Sequence, residues 1–222
     1  MKALDIDPVH DTRQTFRTLC TALSHPGTIK EVGVTPADHA VVATLVDHEL
    51  QAQIDDEELR SALDARGRYE AADADEADII HTRGTPSWDI RNVSRGTLLE
   101  PSDGATVIYR VETLTTPASS SSSPSRSAFE RDGTINHDVV RIDGPGVPAE
   151  TDRTVTIGLP PEELDRISIA QSTYPRGVDV IITTAESVLA IPRSVSISRV
   201  THEDTKSTTI DQSACEQGSE AH

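Results

Sequence analysis

Apolar residues in this chain come in short β-branched runs, and that parcelling constrains the fold more than any other feature. Ala105–Leu114 reads ATVIYRVETL, Val178–Thr183 reads VDVIIT and Val188–Ile191 reads VLAI. Runs of this length, bounded by turn residues, predict buried strands. None approaches the ~20 apolar residues of a membrane helix, so no membrane span is expected. Shorter strands are predicted at Gln51–Ile54, Ala77–Thr82 and Val139–Ile142, the last leading into the turn Asp143-Gly144-Pro145-Gly146. Val178–Thr183 and Val188–Ile191 are expected to pair as a hairpin around Ala185-Glu186-Ser187.

Helical patterns separate these runs. Residues 11–25 place Phe16, Leu19, Cys20 and Leu23 on one stripe, with Asp11 and Gln14 spaced as a capping box and Pro26-Gly27 as the stop. That stripe predicts a buried face, with Cys20 a small core residue. A second helix is predicted from Pro36 at its first position, with Ala40, Val41, Thr44 and Leu45 inward. Asp55-Asp56-Glu57-Glu58 opens a third. Helices are also expected at Thr85–Arg95 and Pro160–Gln171. Strands interleaved with helices indicate an α/β or mixed-sheet domain. One domain is expected over residues 1–200, with a flexible serine-rich loop at 117–127 and a polar, disordered tail at 201–222.

The net charge is −17, from 37 acids against 20 Lys and Arg. Only Lys2, Lys30 and Lys206 are lysines. Such a surface repels phosphate backbones and anionic lipid, so neither nucleic acid nor membrane is an expected partner. An acid excess with few lysines matches a halophilic source in which high salt screens self-repulsion. The first residues lack a secretion signal's apolar stretch, and a cytoplasmic location is expected.

Catalytic patterns are sparse. Cys20 and Cys215 make neither a disulfide framework nor a metal spacing. Asp47-His48-Glu49 reads as a solvated helix end, because adjacent helical residues face different ways. Gly144-Pro145-Gly146 reads as a tight turn, since proline lacks an N–H that a phosphate nest would use. No G-x-S-x-G elbow occurs. No lysine lies on an interior segment late in the chain, so pyridoxal phosphate chemistry is not expected; no cofactor is expected. Two segments are unusual: Phe16-Arg17 through Pro26-Gly27, and Tyr174-Pro175-Arg176-Gly177-Val178-Asp179 with Ile191-Pro192-Arg193. Their arginines either pair with local carboxylates or bind an anion or another subunit.

These segments, with RGTLLEPSDGATVIYRV (95–111) and RIDGPGV (141–147), resemble the PhnH family of the carbon–phosphorus lyase system. FRTLCTALSHPG (16–27) and YPRGVDVIITTAESVLAIPRSV (174–195) carry the resemblance most strongly. Leu23, Tyr174 and Ser194 depart from the family's Met, Phe and Thr. The resemblance implies an α/β, mixed-sheet three-layer domain akin to pyridoxal-phosphate-dependent transferases, without the cofactor. It implies a homodimer and assembly with subunits G, I and J, with K and L as further partners. It also implies a supporting role in making ribose 1-alkylphosphonate 5-triphosphate from ATP and phosphonate. The chain has no cysteine set for an iron–sulfur cluster, so it is not the cleaving subunit. Arg17, Pro26, Gly27, Tyr174, Gly177, Asp179, Pro192 and Arg193 are the candidate interface or anion-binding residues. The alternative reading is a stand-alone transferase or hydrolase acting on a phosphorylated metabolite through Arg17 and Arg193.

Overall fold

In the computed structural model, residues 4–116, 139–148 and 154–200 are described. The serine-rich tract, the tail after 200, Lys2, Lys206 and Cys215 lie outside them. Among the described residues, eleven strands form two sheets. β1 (Lys30–Glu31), β2 (Gln51–Ile54), β3 (Glu70–Ala71), β4 (Ile79–Arg83), β5 (Thr106–Arg110), β9 (Asp179–Thr183) and β10 (Ser187–Ile191) make a seven-stranded sheet in the order β1-β10-β9-β5-β4-β2-β3. The run from β9 through β5, β4 and β2 to β3 is parallel, and β9-β10-β1 is antiparallel. β6 (Leu114–Thr115), β7 (Val139–Asp143), β8 (Thr154–Ile157) and β11 (Ser196–Arg199) form an antiparallel second sheet.

The central strands each carry a run of apolar residues because both their faces are buried. Ile79, Ile108 and Ile181 face helices α1 (His10–Ser24), α2 (Ala37–Leu45) and α3 (Glu57–Asp64). Ile80, Val107 and Val180 face the second sheet, through Val140, Ile142, Val155 and Ile157, and helix α4 (Pro161–Gln171), through Leu164 and Ile167. The result is a helix layer, a seven-stranded layer and a layer of second sheet plus helix. α4 is fixed by polar contacts as well: the buried Tyr109 hydroxyl donates to Glu163 Oε1 at 2.6 Å, and Arg166 reaches Glu163 Oε2 at 3.0 Å. Among the described residues, no helix is long and apolar enough to cross a membrane.

Several local expectations are corrected. α1 buries Thr15, Leu19 and Ala22, whereas Phe16, Cys20 and Leu23 face outward. The two faces of α1 are both apolar enough to be read as inner, and the sheet takes the one with smaller residues. Its start is capped by Asp7, whose Oδ1 accepts from the N–H groups of Val9 and His10 at 2.8 and 2.7 Å, rather than by Asp11. Pro36 precedes α2, with extended backbone, rather than occupying its first position. The helix expected over Thr85–Arg95 is only one 3₁₀ turn at Ile90–Asn92. Asp89 accepts from the Arg91 N–H at 2.9 Å, the local side-chain bond that competes with a helix.

Candidate functional site

The β9–β10 hairpin returns the chain so that Arg193, just after β10, lies beside Asp179, the first residue of β9. The Arg193 N–H donates to Asp179 Oδ1 at 2.8 Å, its Nε to Oδ2 at 3.1 Å and its Nη2 to Oδ2 at 2.5 Å. Nη1 donates to the Pro101 carbonyl, and Nη2 also to the Gly104 carbonyl at 3.1 Å. Arg193 thus spends its fork inside the chain, tying the 101–104 turn to the sheet. A side chain at 104 would not fit: a Cβ there would stand 2.4 Å from the Gly177 carbonyl oxygen and 2.6 Å from Arg193 Nη1. Gly177 itself donates to the Arg95 carbonyl at 3.0 Å, and the Pro192 carbonyl accepts from Val195.

The structure therefore gathers Gly177, Asp179, Pro192 and Arg193 into one clasp. Tyr174, a few residues before Gly177, is 68% exposed. Pro26 is buried and Gly27, at φ +80°, donates to the Ala190 carbonyl, so this pair docks the end of α1 onto β10. Arg17 takes no part in the clasp and stands exposed on α1. The Gly144–Gly146 turn packs against this junction, with Gly146 close to the Ser24 carbonyl and Pro26.

A second group of charged residues, absent from the candidates drawn from sequence, sits at the carboxyl ends of β2, β4 and β5. Asp38 and His39 are in the first turn of α2. Asp56 caps α3, accepting from the Leu59 N–H at 2.9 Å. His81 lies midway along β4, Arg83 ends it, and Arg110 ends β5. Asp38, wholly buried, receives His81 Nε2 at 3.1 Å and Arg110 Nη1 at 2.7 Å. Asp56 faces His39 at 3.4 Å and Arg83 at 2.8 Å. Burial works to raise the Asp38 carboxyl, but the His81 hydrogen bond and the charges of His81, His39 and Arg110 outweigh it and hold it at about 2. Burial also acts to raise Asp56, and the Leu59 N–H, His39 and Arg83 bring it below its ordinary value.

The two arginines line a cleft of about 550 Å³ with Gly84, Thr85, Glu112 and Pro160. Chemically the group can position fixed positive donors at a cavity mouth. Among the described residues no three His, Cys, Asp or Glu side chains are grouped as a metal ion requires. The sequence held a signal for this group. Asp38-His39 interrupts the apolar stretch PADHAVVATL, and Arg83 and Arg110 end β-branched runs that otherwise carry no charge.

Comparison with known proteins matches the chain to a family described as bacterial phosphonate metabolism protein (PhnH), over residues 5–198. It is also similar to a protein of Stutzerimonas stutzeri named putative C-P lyase subunit protein HtxG. The two are 28% identical over 185 residues, covering 82% of this chain and 84% of that one. The family match includes the clasp, the carboxyl-end group and both sheets, and the chain belongs to the PhnH family of phosphonate-metabolism proteins.

Proposed function

We propose that this chain is a non-catalytic subunit of a carbon–phosphorus lyase complex, working in the cytoplasm. In this reading it associates with subunits G, I and J, and with K and L, and it forms a homodimer. It supports the joining of a phosphonate to the ribose triphosphate of ATP. Its fold is a cofactor-less relative of the pyridoxal-phosphate-dependent transferases. Family membership and the name of the similar Stutzerimonas protein support the subunit role.

The observation that carries the reading is the outer face of α1. Phe16 is 54% exposed, and Val9 and Leu23 are exposed on the same stripe, with Cys20 between Phe16 and Leu23. Large apolar side chains aligned on one helix face mark a contact surface. The alternative of a stand-alone transferase or hydrolase gains nothing from Arg193, whose donors are committed within the chain. The test is a pull-down with the tagged full chain from cells grown on a phosphonate, in high KCl. Subunits G, I and J are expected in the eluate. Absence of all three overturns the proposal.

A further inference from the structure

We propose that the cleft at the carboxyl ends of β4 and β5 is an anion site, with Arg83 and Arg110 as its anchors and a tetrahedral phosphate-class oxyanion as its ligand. The two arginines are register partners on adjacent parallel strands. Like charges directly opposite on neighbouring strands repel, so an uncompensated pair is an unfavourable way to end a sheet. Each is instead tethered from behind by its own buried carboxylate: Arg110 by Asp38 and Arg83 by Asp56. The tethers come from separate segments, the first turn of α2 and the cap of α3. They fix two guanidinium groups without filling the cleft in front of them.

The tethers leave donors over. Arg110 gives one Nη to Asp38, and its buried Nε has no hydrogen-bond partner in the protein. Arg83 forms an ion pair with Asp56 through Nη2 at 2.8 Å, and its side chain is more than half exposed. The part of Arg110 that an oxyanion in the cleft can reach is the exposed fifth of its side chain, not the buried Nε. Planar guanidinium forks suit the spaced oxygens of a phosphate or phosphonate group better than a halide or a single carbonyl. Thr85 lines the same cleft and adds a hydroxyl. The cleft, about 550 Å³, falls within the size of small-molecule sites, and it lies where open parallel sheets bind ligands, outside the carboxyl ends of the strands. Glu112 also lines it. That carboxylate opposes an anion and gives the test a second lever.

The experiment is calorimetric titration of the isolated full chain, at constant KCl, with inorganic phosphate and separately with methylphosphonate. The family supplies only the choice of the second probe. Saturable binding of at least one probe is expected. Arg83→Gln, at an exposed position that leaves the Asp38 pair intact, weakens it about tenfold through loss of a charged fork. Glu112→Gln strengthens it. The ratio of the two affinities tells whether phosphate or phosphonate is the preferred form. No saturable binding of either probe, or unchanged affinity in Arg83→Gln, overturns the proposal. Binding is read on the isolated chain, so its failure leaves the subunit reading untouched, and a failed pull-down leaves the binding result untouched.

Discussion

Replacing Asp38 by Asn keeps the shape of the side chain and removes the charge that Arg110 and His81 were built around. The size of the loss follows from the carboxyl's environment. Its pKa is about 2 in the folded chain against an ordinary 3.8, which corresponds to roughly 2 kcal/mol of stability at neutral pH. The sign is that of a depressed acid. The stabilisation is fully present above pH ~4 and is lost as pH falls towards ~2. Both Asp38 oxygens accept, one from Arg110 and one from His81, while an amide offers one acceptor and one N–H₂. One contact therefore becomes donor against donor unless the His81 proton moves to its unpartnered Nδ1, so the mismatch adds up to about 3 kcal/mol that does not depend on ionisation of residue 38. Urea unfolding of wild type and Asp38→Asn, in constant high KCl, measures both parts. At neutral pH the variant should be less stable by about 2–5 kcal/mol, and at pH ~2.5 the gap should shrink by roughly 1.5 kcal/mol. A gap of equal size at both pH values, or one below ~0.5 kcal/mol at neutral pH, would refute the reasoning.

Other outcomes follow from the same structure. Gly104→Ala drives a methyl into the Gly177 carbonyl and Arg193, so a loss of about 1–3 kcal/mol is expected by thermal or urea unfolding; an unchanged midpoint would show that the clasp is loose. Phe16→Ser should change stability by less than ~0.5 kcal/mol yet lower the recovery of sister subunits in the pull-down; undiminished recovery would remove α1 from the interface. We read the acidic, lysine-poor composition as halophilic, so the unfolding midpoint should rise steeply between ~0.1 M and ~3 M KCl as surface repulsion is screened; equal stability at both ends would refute that reading.

Much of the sheet was legible because β-branched runs such as ATVIYRV and VDVIIT have no other use in a chain this polar. Strands of two residues, such as β1 and β3, carry no periodicity and were invisible. β8 and β11 have only four residues each, with Thr and Ser among them. The outer stripe of α1 misled for a physical reason. Phe16, Cys20 and Leu23 are apolar at helical spacing, and spacing alone does not say whether the covering surface belongs to this chain or to another. The candidate residues split similarly. Asp179 and Arg193 stood out as charges beside an apolar strand, which is also how a structural clasp looks. The carboxyl-end group escaped because its members are spread from Asp38 to Arg110, and only the parallel register of β2, β4 and β5 brings them together.

The central claim is that the chain serves phosphonate use as part of a larger assembly. The most direct measurement is growth of the source organism with its gene deleted, on a phosphonate and on inorganic phosphate as the sole phosphorus source. No growth on phosphonate, normal growth on phosphate and restoration by the wild-type gene are predicted. Undiminished growth of the deletion strain on phosphonate would contradict the account.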